Sequence, residues 1–247
     1  MDTELLKRAE DLARRCERTA AVTFTNFLTP AQVYELRSWH PPADCRLLFH
    51  GGYGGAERMA AFFLPEYMDE EYFDPSEYIR AVAVKAAFGA PGHRDYMGAV
   101  LGLGIGREWL GDIVVEGEQA WIFCLPSVEN HLLLNLDKVG RFGVKCAPVA
   151  LTEVPCREKR MRELTFSVKS PRLDAVVGGM FGLSRSSAAE AVKAGLVSLN
   201  YAENTKCDTA VKECDIISLR GRGKGCVLEL GGLSRRDRQF IKCGIYI

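Results

Sequence analysis

"SPRLDAVVGGMFGLSRSSAAEAVKAGLVSLN", residues 170–200, reads as two short helices joined by a tight turn. Ser170-Pro171 is a helix start, since serine caps a helix and proline tolerates its first turn. Leu173, Val176, Val177, Met180 and Phe181 recur at helical spacing and make a buried stripe. Gly182 fits the residue past the first helix, Ser184 can cap the second, and Gly195 fits its exit. At about 100° per residue, Arg185, Ser186, Ala189 and Lys193 share one side of the second helix, while Ala188, Ala191 and Val192 lie around the other and pack inward. The stretch holds no His and no Cys. Its chemical content is a few spaced cations.

Working outward, "LVSLN", "DIISLRG" and "GCVLELGG" are short β segments, so residues 157–247 form a unit of two helices followed by a small β-rich half. "SLRGRGKG" places Arg220, Arg222 and Lys224 at a strand end, among glycines that let a backbone come close. Arg172 opens the first helix, and the start of the second offers N–H groups to an anion. Such a constellation suits a structured nucleic-acid backbone, whose phosphates repeat and whose duplex is recognised by shape. The plainer alternative is a helical hairpin whose cations only keep it solvated.

Charge supports the first reading. The net charge is zero, but residues 155–247 hold 17 Lys+Arg against 10 Asp+Glu, and residues 1–154 hold 15 against 22. A basic segment on an acidic body points to a polyanion-binding module on a carrier. No apolar run approaches the roughly 20 residues that span a bilayer. The charged start "MDTELLKRAEDLARRCERTA" lacks a signal core. The expectation is a cytoplasmic protein with no membrane contact. Nine cysteines, at 16, 45, 124, 146, 156, 207, 214, 226 and 243, show no C-x-x-C pair. Most of them read as small buried hydrophobes in a reducing compartment. A metal site from Cys207, Cys214 and Cys226 is a remote alternative, and no metal or cofactor is expected.

Two more regions precede the basic one. In residues 1–74, Leu5, Leu6, Ala9, Leu12, Ala13 and Cys16 mark an amphipathic helix, and Thr29-Pro30 starts a second one that ends before Pro41. "CRLLFHGGYGGAERMAAFFLP" reads as two apolar strands around a Gly-rich turn. Within it, Glu57 and Arg58 are expected as a surface ion pair, although such a turn can also cradle phosphate. The acidic "EYMDEEYFDPSEY" reads as a linker. Residues 77–153 give β-α-β-β-α-β, a ferredoxin-like order, with a hairpin turn near Glu116-Gly117 and a helix from Pro126 to just before Gly140. The aromatic signature of base-stacking sheets is missing. The fold class is therefore α+β: an N-terminal α/β region, a ferredoxin-like domain and the C-terminal helix-pair domain.

"RLDAVV", "FGLSRSSAAEAVKAGLVSLN" and "DIISLRGRGKG", in this order and spacing, resemble the RNA-binding domain first recognised in small-subunit ribosomal protein four, with its α-L motif. Together with "FTNFLTP", "GGYGGAERM", "HRDYMGAVLGLGIGREWLGDI" and "NLDKVGRFGVK", they resemble the YlmH family over nearly the whole chain. That resemblance implies RNA as partner: rRNA of the large ribosomal subunit, with or without tRNA, in ribosome-associated quality control. It also implies a link to cell-division loci, hence an alternative as a scaffold whose acidic half holds a protein partner. RNA-contacting positions carried over are Arg172, Ser184, Arg185, Ser186, Lys193, Arg220, Arg222 and Lys224. Ser187 departs from the family, which often has Lys there. Asp174 belongs to the pattern and is expected to orient Arg172 or hold backbone N–H groups.

Such domains also ride on RNA-modifying enzymes, which is a second alternative. Catalytic equipment is not evident. "LGLGIGREW", residues 101–109, fails as a dinucleotide loop, with Arg107 or Trp109 where a third glycine belongs. His40, His50, His93 and His131 are scattered. His93-Arg94-Asp95 lacks the downstream partners of a kinase loop, so His93 reads as support for its helix start. The expectation is a protein that is not an enzyme.

Overall fold

The computed structural model describes residues 3–41, 44–155, 161–234 and 237–246. The chain divides into two compact units, 1–158 and 159–247. The expected start of the basic region at 157, and Cys156, lie outside the described residues.

The first unit opens with α1 (Thr3–Thr19), β1 (Thr23–Phe24), α2 (Pro30–Arg37), β2 (Cys45–His50) and β3 (Ala60–Pro65). Thr29 caps α2 as read: its hydroxyl accepts from the Gln32 N–H at 3.3 Å, and the Gln32 side chain accepts from the Thr29 N–H at 2.9 Å. The strands make a small antiparallel sheet in the order β1-β3-β2. All six residues of β3 are buried, because its two faces meet different partners. Ala61 and Phe63 pack on Leu5, Ala9, Ala13 and Cys16 of α1 and on Val33 and Leu36 of α2. Ala60, Phe62 and Leu64 face the other way, into a second core.

The elements that follow are β4 (Arg80–Ala86), α3 (His93–Gly102), β5 (Leu110–Glu116), β6 (Gln119–Cys124), α4 (Pro126–Asn135), β7 (Lys138–Val139) and β8 (Phe142–Val149), and β4, β5, β6 and β8 share that second core. Their sheet runs β5-β6-β4-β8-β7, antiparallel throughout. Val82, Val84 and Ile122 face Tyr96 and Val100 of α3 and Leu132 of α4. The alternate residues Ala81, Ala83, Trp121 and Phe123 meet Phe62 and Leu64 of the smaller sheet. The unit is thus four layers deep, helices outside and two sheets face to face.

Four local readings change. "GGYGGAER" is an inward clasp. Asp112 of β5 accepts from the Tyr53 hydroxyl at 2.8 Å, the Glu57 N–H at 2.7 Å and the Arg58 N–H at 3.1 Å. Arg58 is not held in an exposed pair with Glu57. Its guanidinium donates to the carbonyls of Leu110 and Arg107, both at 2.8 Å, and to that of Phe27 at 3.3 Å. The acidic "linker" packs as well: Phe73 stacks on Tyr78, and both rings meet Phe62. Gly140 does not end α4, which stops at Asn135; it makes the left-handed turn between β7 and β8 at φ +59°. At α3 it is the Asp95 carboxylate that accepts from the Gly92 N–H, at 2.8 Å, so His93 is not the support.

The second unit is one antiparallel sheet with two helices on one face. Its elements are β9 (Met161–Val168), α5 (Leu173–Phe181), α6 (Arg185–Lys193), β10 (Val197–Leu199), β11 (Ala202–Glu203), β12 (Ile216–Leu219), β13 (Gly223–Leu233) and β14 (Gln239–Tyr246). The order is β11-β10-β12-β13-β14-β9. Leu173, Val176, Val177 and Met180 of α5 and Ala188 and Val192 of α6 cover Val197, Ile217, Leu219, Val227, Ile241 and Cys243. A Cβ on Gly179 would lie 2.2 Å from the Phe166 ring, so glycine sets the close approach of α5 to β9. Among the described residues, no helix is long and apolar enough to cross a membrane.

Replacing Asp112 by alanine leaves two N–H groups and a hydroxyl without their acceptor at the junction of the two sheets. Unfolding of the full chain in urea is expected to show a loss of about 2–3 kcal/mol, against about 1 kcal/mol for Tyr53→Phe, which removes one of the three bonds.

Candidate nucleic-acid interface

Arg172 is the N-cap residue of α5, so the helix begins two residues after the Ser170-Pro171 start read from sequence. No side chain caps it. The loop 207–209 does so: the N–H groups of Leu173 and Asp174 donate to the carbonyls of Thr209 at 2.9 Å and Cys207 at 3.1 Å. Gly182 closes α5 in the left-handed conformation at φ +65°. Two residues on, the Ser184 hydroxyl accepts from the Ser187 N–H at 3.1 Å and starts α6.

This hairpin buries one carboxylate between two arginines. Asp174 is only 4% exposed. Its Oδ1 and Oδ2 accept from Nε and Nη2 of Arg172 at 3.2 and 3.3 Å, and Oδ2 lies 4.0 Å from Nε of Arg185. Oδ1 also accepts from the Ala175 N–H at 2.9 Å. The expected role of Asp174, orienting Arg172 and holding a backbone N–H, is what the geometry shows. It draws Arg185 toward the same point, although 72% of the Arg185 side chain remains exposed.

Beside this trio runs a groove of about 300 Å³ between β9 and α5, lined by Ser167, Lys169, Asp174, Gly179, Arg185 and Arg238. Arg238, just ahead of β14, is fixed there: its Nε donates to the Ser167 hydroxyl at 3.1 Å and its Nη2 to the Ser167 carbonyl. Lys169 and Arg238 were missed from the sequence. For Arg238 the signal was the run "RRDR" at 235–238, which is basic but belongs to no helix pattern.

The other expected positions separate. Ser184, Ser186 and Ser187 gather at the start of α6, with hydroxyl oxygens 3.0 and 2.8 Å from that of Ser184. Lys193 is exposed in the last turn of α6. Arg220 lies in the β12–β13 turn, its N–H donating to the Leu196 carbonyl at 2.9 Å, just past α6. Arg222, in the same turn, lines a second depression with Arg162 and the α5 end residues Phe181 and Gly182. Lys224 departs from the group. Gly225 faces α5, where an added Cβ would meet the Met180 sulfur at 2.7 Å. Strand alternation therefore turns Lys224 to the face away from the helices. There its Nζ lies 5.9 Å from the Tyr201 ring centre and 5.3 Å from that of Tyr246.

Of the described thiols, Cys16, Cys124 and Cys243 are buried and four others are half-buried. Cys207 Sγ donates to the Ala189 carbonyl at 3.6 Å, Cys226 lies on β13, and Cys214 is exposed. Among the described residues no three His, Cys, Asp or Glu side chains gather as a metal site. Burial pushes the Cys124 and Cys243 thiols up to about 12. Among the described cysteines, a maleimide at neutral pH should modify Cys214 first and reach Cys124 and Cys243 only on unfolding, as peptide mapping would show.

What this geometry defines is an α+β protein with a cation-walled groove on a helix hairpin. Residues 1–67 match the family model described as "YlmH, N-terminal", and residues 78–153 match "Putative RNA-binding domain in YlmH". The chain belongs to the YlmH family. It is 29% identical over 235 residues to "Ribosome-associated protein quality control protein P2" of Bacillus subtilis (strain 168), covering 94% of this chain and 91% of that one. A solved structure, "Cell division protein ylmH from Streptococcus pneumoniae", aligns with 62% of this chain and 93% of its own, at 20% identity and a TM-score of 0.48.

Asp174→Ala should leave Arg172 and Arg185 without their shared carboxylate and the Ala175 N–H without its acceptor. The expected result is a loss of about 1–3 kcal/mol in the stability of residues 159–247, read from the urea midpoint of that unit.

Proposed function

We propose that this chain is a non-enzymatic RNA-binding protein that docks on structured rRNA of the large ribosomal subunit, with or without bound tRNA, in the cytoplasm. The observation that carries the reading is the convergence of Lys169, Arg185 and Arg238 on one groove, beside which Arg172 is held by buried Asp174. Fixed guanidinium groups lose little freedom on meeting phosphate and can bind it in a forked geometry. Lys193, Arg220 and Arg222 add phosphate contacts around the helix pair. The Ser184 and Ser186 hydroxyls can donate to phosphate or 2′-hydroxyl oxygens. Lys224 acts elsewhere, on the other face of its sheet.

The finer architecture belongs to the same proposal. Residues 159–247 are read as the S-four-type domain with its α-L motif, supported by the helix hairpin leading into β10, β12 and β13. Residues 78–153 are read as ferredoxin-like, supported by the strand order β5-β6-β4-β8. The Bacillus subtilis relative is named for ribosome-associated quality control, and the match to it spans 94% of this chain. Two histidines that an enzyme reading would enlist have structural partners. His50 Nδ1 accepts from the Gly52 N–H at 2.9 Å, and His131 Nε2 lies 3.2 Å from the Leu103 carbonyl oxygen.

Arg185→Glu combined with Lys193→Glu is expected to abolish co-sedimentation with large ribosomal subunits while circular dichroism keeps its wild-type form; the unfolding midpoint of residues 159–247 should fall modestly, since Arg185 gives up its approach to Asp174 while Lys193 is exposed. Undiminished co-sedimentation would remove these positions from the interface.

A further inference from the structure

The five-stranded sheet of the first unit has one face under α3 and α4 and the other under the smaller sheet, but the second cover is incomplete. Along β4, Ala81 and Ala83 point into the core between the sheets, and Lys85 is the next residue on that face. Lys85 is exposed. Directly across from it on β8 stands Lys145, also exposed. The neighbours Val144 and Cys146 pack on the helix side, so alternation puts Lys145 on the same face as Lys85. On β7, Val139 is buried on the helix side, which turns exposed Lys138 to the Lys85 face as well. Lys138 pairs with Gly143, two residues along β8 from Lys145.

Three ammonium groups therefore share the end of the sheet that the smaller sheet leaves uncovered. None of them takes part in an ion pair among the described residues. A like-charge pair directly across an antiparallel ladder, with Cβ atoms about 5 Å apart, works against folding. The closest carboxylate in the same cross-strand row is Glu116, beyond Gln119, which itself faces Lys85. Gly143 has nothing within 4 Å of where a Cβ would be, and Ala147 is exposed, so the surface between the lysines is low and open. The aromatic residues that could have stacked bases, Trp121 and Phe123, are 7% and 0% exposed beneath the smaller sheet.

We propose that Lys85, Lys138 and Lys145 form a second RNA contact, which holds the phosphate backbone without reading bases. Ligand phosphates relieve the Lys85–Lys145 repulsion, and ammonium groups on flexible stems follow a backbone of any sequence. The buried central face explains how a segment matched as an RNA-binding domain can touch RNA while lacking an aromatic platform. The inference rests on the RNA-binding reading above but uses a different unit of the chain.

The test measures binding of the full-length protein to purified large ribosomal subunits across a KCl series. The variants are K85Q/K138Q/K145Q, its K85R/K138R/K145R counterpart, and R185E/K193E. With about 0.7–0.9 of log-log salt slope per phosphate contact, the triple glutamine variant should lose about 2 from the slope and bind at least tenfold more weakly at moderate salt. The triple arginine variant should restore both. An unchanged slope in the glutamine variant, whether affinity holds or falls, overturns the second contact. If R185E/K193E binds like wild type while the glutamine variant shows the loss and the arginine variant the rescue, the helix-pair reading fails and this contact stands.

Discussion

The carboxylate of Asp174 is the hinge of the basic unit. It is nearly buried, it meets Arg172 from the same helix start and Arg185 from the next helix, and it holds a backbone N–H between them. A carboxylate placed so has to be paired, since a lone buried charge costs several kcal/mol. Arg172 meets that demand through two hydrogen bonds and so loses freedom that long side chains usually keep, while Arg185, mostly exposed, stands 4.0 Å away. Their remaining donors are then presented beside a groove whose far wall is Arg238, itself tied to Ser167. Close packing supports the arrangement: Gly179 admits the Phe166 ring, and Gly182 turns the chain into α6.

The first unit solves a different problem. Its strand β3 is apolar at all six positions because it lies between α1 and α2 on one side and a second sheet on the other. The clasp of Asp112 by the loop 51–58 and the three carbonyl bonds of Arg58 fasten those sheets along one edge. This closes the face on which a four-stranded nucleic-acid module would stack bases. It leaves the lysine-bearing end of β4, β7 and β8 open.

Local patterns made much of this legible. The helix hairpin, its Gly182 and Ser184 punctuation, the β2–β3 and β5–β6 hairpins and the capping at Thr29 all follow from contacts a few residues apart. What escaped depends on distant partners. β9 and β14 pair residues 161–168 with 239–246, a match no local window contains. Arg58 and Glu57 look like any exposed pair until a strand fifty residues later supplies Asp112. The stretch at 66–78 reads as a linker by charge, yet Phe73 and Tyr78 sink into the core. Among the groove residues, Arg185 was legible because helical spacing announces it. Lys169 and Arg238 were not, since they flank strands. "RGRGK" looks like one basic cluster in a line of text, but strand alternation sends Lys224 to the opposite face from the helices.

Ultraviolet crosslinking in living cells, followed by mass spectrometry of the nucleotide-bearing peptides, addresses the central claim most directly. Adducts on peptides spanning the β9–α5 groove and α6, attached to large-subunit rRNA, are the predicted result. Adducts confined to other parts of the chain, with the groove peptides recovered unmodified, would contradict it.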